Sequence, residues 1–320
     1  MIKGGYPMSQ ILAKYKNGNY YVTLYEDGTK IIENNLDYIE ADFPDNFDCK
    51  ITNYCPMGCP MCHEKSTIEG KHGDILKLRF FDNLHYGTEI ALGGGMVTSH
   101  PDLVPFLEKL KNNGIFPNIT VHQNELQENW DFIKDLVDRK LIWGIGVSYH
   151  HNDIMFWNRV VKDLPNAVIH LIAGYHKVET FQHISDYVPG AKILILGYKD
   201  FGRGSEYLKK TLDEIPYEIE QLEQWLFWVD QYVNKENTKM NIEKFKVASF
   251  DNLSIEQLHI KTHVSKQDWD QFYQGSDGSH TMYVDAVNEQ FALNSTSTKR
   301  YELLDTIDDM FKIVKKEGGK

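Results

Sequence analysis

Cysteine is scarce in this 320-residue chain, and unevenly placed: there are 4, all between Cys49 and Cys62, and none follows. A secreted disulfide framework would spread its bridges along the chain, whereas a group this tight points to one metal site. Long apolar runs are also missing. The longest, 141–148 and 167–175, fall far short of the roughly 20 residues of a membrane-spanning helix. Residues 1–15 hold no sustained apolar stretch of a secretory signal, so a cytoplasmic location is expected, with no membrane partner. Basic charge is in deficit. Against 46 Asp and Glu stand 34 Lys and Arg, a net charge of -12, which gives no general help in binding a phosphate backbone and disfavours extended nucleic acid. Hydrophobic residues at 42% and charged residues at 25% exclude disordered, collagenous and low-complexity classes.

No internal repeat or flexible linker is visible. Residues 14–33 read as a β-hairpin around Glu26, Asp27 and Gly28. Strands then alternate with helices. The strands are expected at 48–54, 88–92, 118–122, 143–149, 167–173 and 192–196. Helices are expected at 102–113, 125–139, 152–163, 178–187 and over much of 206–234. Six such units imply parallel strands with right-handed crossovers, in a sheet that is open or curled. Either way, ligands sit at the strand C-termini. The unusual polar clusters fall there: the cysteines, Gly93–Gly95, and the groups at 122–124, 148–151, 174–176 and 197–199. Beyond 240 the pattern changes. A further strand at 244–249, helices at 255–258 and 265–273, a hairpin of 280–285 with 289–294, and a helix at 301–315 read as a cap.

The central motif is Cys55-Pro-Met-Gly-Cys59-Pro-Met-Cys62. Three thiolates in one loop suit an iron–sulfur cluster or zinc. A structural [4Fe–4S] cluster normally takes four cysteines, so three leave one iron open. Cys49 lies about 20 Å away along an extended strand, too far for the same cluster, and reads as a buried strand residue. Alternatives remain. Cys59 to His63 matches a c-type haem attachment motif, which requires export. Zinc on the three cysteines with His63 or His72, and a purely structural cluster, are the others.

A strand, this cysteine loop, a strand ending in Gly93-Gly94-Gly95, and repeated strand–helix units together resemble the radical S-adenosylmethionine superfamily over about residues 45–200. The run Ile51-Thr-Asn-Tyr-Cys55 is similar to that family's approach to its cluster loop. The resemblance implies an α/β fold, a partial (β/α)6 TIM-like barrel over 46–239. An N-terminal β-hairpin extension (1–45) and a C-terminal α+β cap (240–320) complete it. It implies a [4Fe–4S] cluster on Cys55, Cys59 and Cys62, with S-adenosylmethionine on the open iron. Reductive cleavage would give a 5′-deoxyadenosyl radical that takes hydrogen from a small-molecule, nucleotide or peptide substrate. The electron would come from an external donor such as flavodoxin or ferredoxin. Met61 stands where the family commonly has an aromatic. Gly95 stands where its glycine motif often has Glu, so backbone carbonyls or a polar group from another strand must hold the methionine ammonium. Gly93, Gly94, Gly95, Gln123, Asn124, Ser148, Gly174 and Gly197 are the further expected cofactor contacts. His122, His150, Lys199, Arg203 and His280 are the expected substrate contacts, with Arg203 able to grip a carboxylate or phosphate. With no cysteine left over, a second ligated cluster is not expected. The competing reading is a non-catalytic zinc or iron–sulfur electron-transfer module.

Overall fold

The computed structural model describes residues 9–36, 38–214, 223–226, 245–273 and 275–318. Its N-terminal unit is an antiparallel meander of β1 (Ile11–Asn17), β2 (Tyr20–Tyr25) and β3 (Lys30–Glu33). The expected hairpin therefore gains a strand. The cue was Gly18-Asn19, a two-residue hairpin loop between β-rich runs. Gly18 sits at φ +53° with the Glu40 carbonyl against its α-carbon, so no side chain fits.

The main sheet follows. In sequence order it contains β4 (Asn46–Thr52), β5 (Glu89–Gly94), β6 (Phe116–His122), β7 (Gly144–Ser148), β8 (Ala167–Ile172), β9 (Lys192–Leu196) and β10 (Val247–Phe250). Each pairs in parallel with the next. The six expected strands are all present, and β10 adds a seventh. The other edge differs from expectation more. β11 (Thr281–Asp285) pairs in parallel with β4, and β12 (Gln290–Ala292) and β13 (Tyr301–Glu302) continue the sheet antiparallel. The C-terminal strands are thus part of the barrel sheet, not a layer over it. An unpaired β4 would expose a row of backbone donors and acceptors, and β11 covers them. Among the described residues β10 and β13 do not pair, so the barrel is not closed.

Helices cover the outer face. α1 (Leu103–Asn112) buries Leu103, Phe106, Leu107 and Leu110, the stripe its spacing predicts. The helix expected at 125–139 is two, α2 (Gln123–Glu128) and α3 (Trp130–Asp138), broken at Asn129. α4 (Ile154–Asp163) and α5 (Val178–Tyr187) follow as expected. α6 (Arg203–Glu214) starts earlier than expected, and most of the remaining 215–234 lies outside the described residues. α7 (Asn252–Gln257), α8 (Lys266–Phe272) and α9 (Ile307–Gly318) complete the chain. The last replaces the expected helix 301–315. Thr306 caps it by accepting from the Asp309 N–H, and β13 occupies the start of that segment. No helix among the described residues is long and apolar enough to cross a membrane.

Strand alternation sets the two faces. Phe47, Cys49 and Ile51, then Ile90 and Leu92, are buried in the core shared with the helices. The intervening positions, among them Asp48, Asn118, Thr120, Gly146 and His170, line a cavity of about 1350 Å³. A closed barrel of this type fills its interior with bulky branched side chains. Here polar and small residues on β4 to β7 leave space, with Val168, Ile172, Leu194 and Leu196 lining the far side. Gly146 is required because a Cβ there would lie 2.2 Å from the His170 ring.

The β2–β3 turn forms the barrel floor. Asn166 donates to the Glu26 carbonyl at 2.7 Å, and Lys192 to the Asp27 carbonyl at 2.9 Å. Asp45, just before β4, ties the N-terminal sheet on. It is fully buried and accepts from Tyr20 Oη and Asn17 Nδ2, each at 2.7 Å, and from Tyr15 Oη at 3.3 Å. Asp45→Ala leaves the Tyr15 and Tyr20 hydroxyls without their acceptor, while Asn17 Nδ2 keeps the Phe43 carbonyl at 2.8 Å, and is expected to lower the unfolding free energy in urea by about 3 kcal/mol. A loss under about 1 kcal/mol would show that this network does not join the two units.

Candidate active site at the cysteine loop

The cysteine loop leaves β4 at the mouth of the barrel and has little regular structure, so its neighbours satisfy its backbone. Gly95 N–H donates to the Thr52 carbonyl at 2.8 Å and Met96 N–H to the Tyr54 carbonyl at 2.7 Å. This contact explains two of the three glycines. A Cβ on Gly94 would lie 2.3 Å from the Thr52 carbonyl oxygen, and one on Gly95 2.1 Å from that of Tyr54. Gly93 has nothing within 4 Å of that position and faces the cavity. From the far side, Arg203 Nε donates to the Cys59 carbonyl at 3.0 Å and Nη1 to the Ser66 carbonyl at 2.9 Å. Its own N–H donates to the Cys62 carbonyl at 3.0 Å. The guanidinium expected at the substrate is engaged with the loop instead.

Cys55, Cys59 and Cys62 are half-buried and line the one cavity. Burial pushes the Cys55 and Cys59 thiols above their ordinary range, and the neighbouring thiols add to it. Cys49 is buried on the opposite face of β4, in the apolar core, where burial raises its pKa further. Among the described residues no three His, Cys, Asp or Glu side chains are gathered tightly enough to hold a single ion. The donor set itself, three soft thiols sharing one opening, fits a four-iron cluster with one iron left for another ligand.

Beside the loop stands a charged wall that sequence reading missed, except for Lys199 and for His63, which was weighed as a zinc ligand. Lys50 Nζ meets Glu64 at 2.8 Å and Asp285 at 3.2 Å. Tyr283 Oη donates to Glu64 at 3.0 Å, and His63 Nε2 lies 3.4 Å from it. Burial alone would raise the Glu64 pKa, but His63 and Lys50 outweigh it and hold the carboxyl far below the usual range. Lys199 Nζ donates to Ser295 Oγ at 2.8 Å and lies 3.5 Å from His63 Nε2. Deeper in, Asp48 is open to the cavity and forms no hydrogen bond or ion pair with any described residue; enclosure by the barrel walls raises its pKa against the opposing pull of Lys199. The available cue was alternation. Asp48 and Lys50 interrupt Phe47, Cys49 and Ile51 at every second place, as His170 does Ile169 and Leu171.

Of the other expected contacts, Met61, His122, Ser148, His150, Gly197 and Lys199 line the cavity. His122 and His150 face each other with ring centres 4.7 Å apart. Gln123 is fully buried as a strut, its Oε1 accepting from the His150 and His151 N–H groups at 2.9 Å each. Asn124 begins α2 beside it, and Gly174 turns the chain after β8 at φ +82°; none of these three lines the cavity. His280 is misplaced by the sequence reading. It precedes β11, and because β11 runs parallel to β4 it lies at the opposite end of the sheet, its carbonyl accepting from the Asp45 N–H.

No family model matches the sequence, and no curated protein matches it. Among solved structures, SuiB of Streptococcus suis is similar at 12% identity and a TM-score of 0.50, over 86% of this chain and 66% of SuiB. SuiB bound to S-adenosylmethionine gives 13% and 0.48, over 85% and 64%. SuiB bound to the precursor peptide SuiA gives 14% and 0.49, over 79% and 60%. This chain is similar to SuiB in fold. It spans less than two thirds of SuiB's length.

Two outcomes follow from the geometry. Arg203→Met removes two hydrogen bonds to loop carbonyls and is expected to cost about 2 kcal/mol in urea unfolding; an unchanged midpoint would show that the loop holds itself. Loss of solvation lowers His122, His170 and His176 from an ordinary 6.5 to about 4. The folded protein thus keeps them neutral while the unfolded chain takes up protons. Their contribution to stability is complete above pH 6.5 and is lost as pH falls toward 4. Urea midpoints measured from pH 7 downward should decline through that window, and a flat profile would contradict it.

Proposed function

We propose that this chain is a radical S-adenosylmethionine enzyme acting on a polar small molecule, nucleotide or peptide. The observation that carries the reading is the placement of three thiols. Cys55, Cys59 and Cys62 share the C-terminal mouth of a parallel sheet, while Cys49 is buried among the apolar core residues of β4. The fold shared with SuiB supports it; SuiB binds S-adenosylmethionine and a precursor peptide in other crystals. The cavity, at about 1350 Å³, exceeds the roughly 300–1,000 Å³ of an ordinary ligand pocket and has room for a cofactor and a substrate together.

In this reading Cys55, Cys59 and Cys62 would hold a [4Fe–4S] cluster, which would supply one-electron reductive cleavage of S-adenosylmethionine and so the means to take a hydrogen atom from substrate. The chain's own residues do the positioning. Arg203 and the glycine loop hold the thiols in place. Gly93 leaves its side of the mouth free, and Met61, Ser148 and Gly197 border the same space. His122 and His150 form one polar side for substrate. Lys199 forms the other, a cation with no carboxylate partner among the described residues. Sequestration within the barrel keeps water from the reacting centre.

Anaerobic reconstitution with iron and sulfide, then reduction with S-adenosylmethionine, tests this. Wild-type protein should release 5′-deoxyadenosine. Cys55→Ala, Cys59→Ala and Cys62→Ala should each abolish it, and Cys49→Ala should retain it. No 5′-deoxyadenosine above a protein-free control, or bound zinc in protein purified without oxygen, would overturn the reading.

A further inference from the structure

Glu125 was not singled out by its sequence context, yet it is the carboxylate most enclosed at the mouth, 1% exposed and lining the cavity. Its Oε1 accepts from Thr98 N at 3.0 Å and Thr98 Oγ1 at 2.9 Å, and Oε2 accepts from the His122 N–H at 3.3 Å. All three donors are neutral. It forms no ion pair with any described Lys, Arg or His. Its charged neighbours are of its own sign: burial raises its pKa, Glu128 adds to that, and Glu125 in turn raises Cys55. A buried carboxylate with only neutral partners is costly, and a positive or N–H-rich group arriving from the cavity would relieve it.

The surroundings say which group. Glu125 reaches across to Thr98, on the loop that follows Gly93–Gly95 and packs against the cysteine segment. That loop has no side chain at Gly95 to offer an acceptor, and a Cβ there would collide with the Tyr54 carbonyl. An acceptor at this edge of the mouth must come from another element, and the first turn of α2, directly after β6, supplies it in Glu125. Oε2 carries one long hydrogen bond and retains a lone pair.

We propose that Glu125 accepts a hydrogen bond from the amino group of the methionine end of S-adenosylmethionine. This rests on the proposed function. The carboxylate then has two tasks, holding the Thr98 loop to β6 and receiving the cofactor.

Binding separates the tasks. Cluster-reconstituted protein is titrated calorimetrically with S-adenosylmethionine, S-adenosylhomocysteine and 5′-methylthioadenosine; the first two carry the amino group and the third does not. Glu125→Gln keeps the shape and the acceptor for Thr98. It should weaken the first two about tenfold, the scale of a charged hydrogen bond, and leave 5′-methylthioadenosine within about twofold. Thr98→Val disturbs the loop but keeps the carboxylate, and should affect all three ligands alike. Equal loss for all three in Glu125→Gln, no loss at all, loss for S-adenosylmethionine alone, or the selective pattern appearing in Thr98→Val would each overturn the assignment. If wild-type protein binds none of the three, the proposed function has failed and this assignment falls with it.

Discussion

An irregular loop that carries three thiols cannot supply its own backbone hydrogen bonds, so the segments packed on it must. The Gly93–Gly95 strand end closes on one side, through the Thr52 and Tyr54 carbonyls. Arg203 closes on the other, through the carbonyls of Cys59, Cys62 and Ser66. The rest of the mouth depends on this arrangement. It joins the first and sixth strand ends across the opening of a barrel whose edges do not pair. It also explains why the glycines are glycines: two of them make room for a neighbouring backbone, and only Gly93 is left facing open space.

The interior is mixed in character. The first strands of the sheet send polar or small residues inward, such as Asp48, Lys50, Asn118, Thr120 and Gly146, whereas β8 and β9 add Val168, Ile172, Leu194 and Leu196 around His170. The overall charge of -12 conceals local cations in this interior. Lys50 is neutralised by Glu64 and Asp285, Lys192 is held by floor carbonyls and amides, and Lys199 stands without a carboxylate. Asp48, which lines the same cavity without a hydrogen bond or close ion pair among the described residues, feels the Lys199 charge across the space between them.

Much of this was legible in advance. The six strand–helix units were readable because burial on one face imposes a period of two on strands and of 3.6 on helices. The three-cysteine spacing singled out the loop, and strand separation alone set Cys49 apart. The failures have physical causes. Arg203 opens α6 after a glycine-containing turn, where sequence reports a cation but not its target, and its partners are carbonyls that every residue type supplies. His280 was assigned to the mouth because it stands beside a strand, but only the parallel pairing of β11 with β4 says which end of that strand it occupies.

The sequence by itself therefore determined the class of elements, their order, and the loop that carries three thiols, since these follow from local spacing and side-chain chemistry. Tertiary structure decided the rest: that the C-terminal strands extend the barrel sheet, that Lys50, Glu64 and Asp285 meet, and that Glu125 closes on Thr98. These contacts join residues 14, 27 and as many as 235 positions apart, distances over which no local pattern carries information.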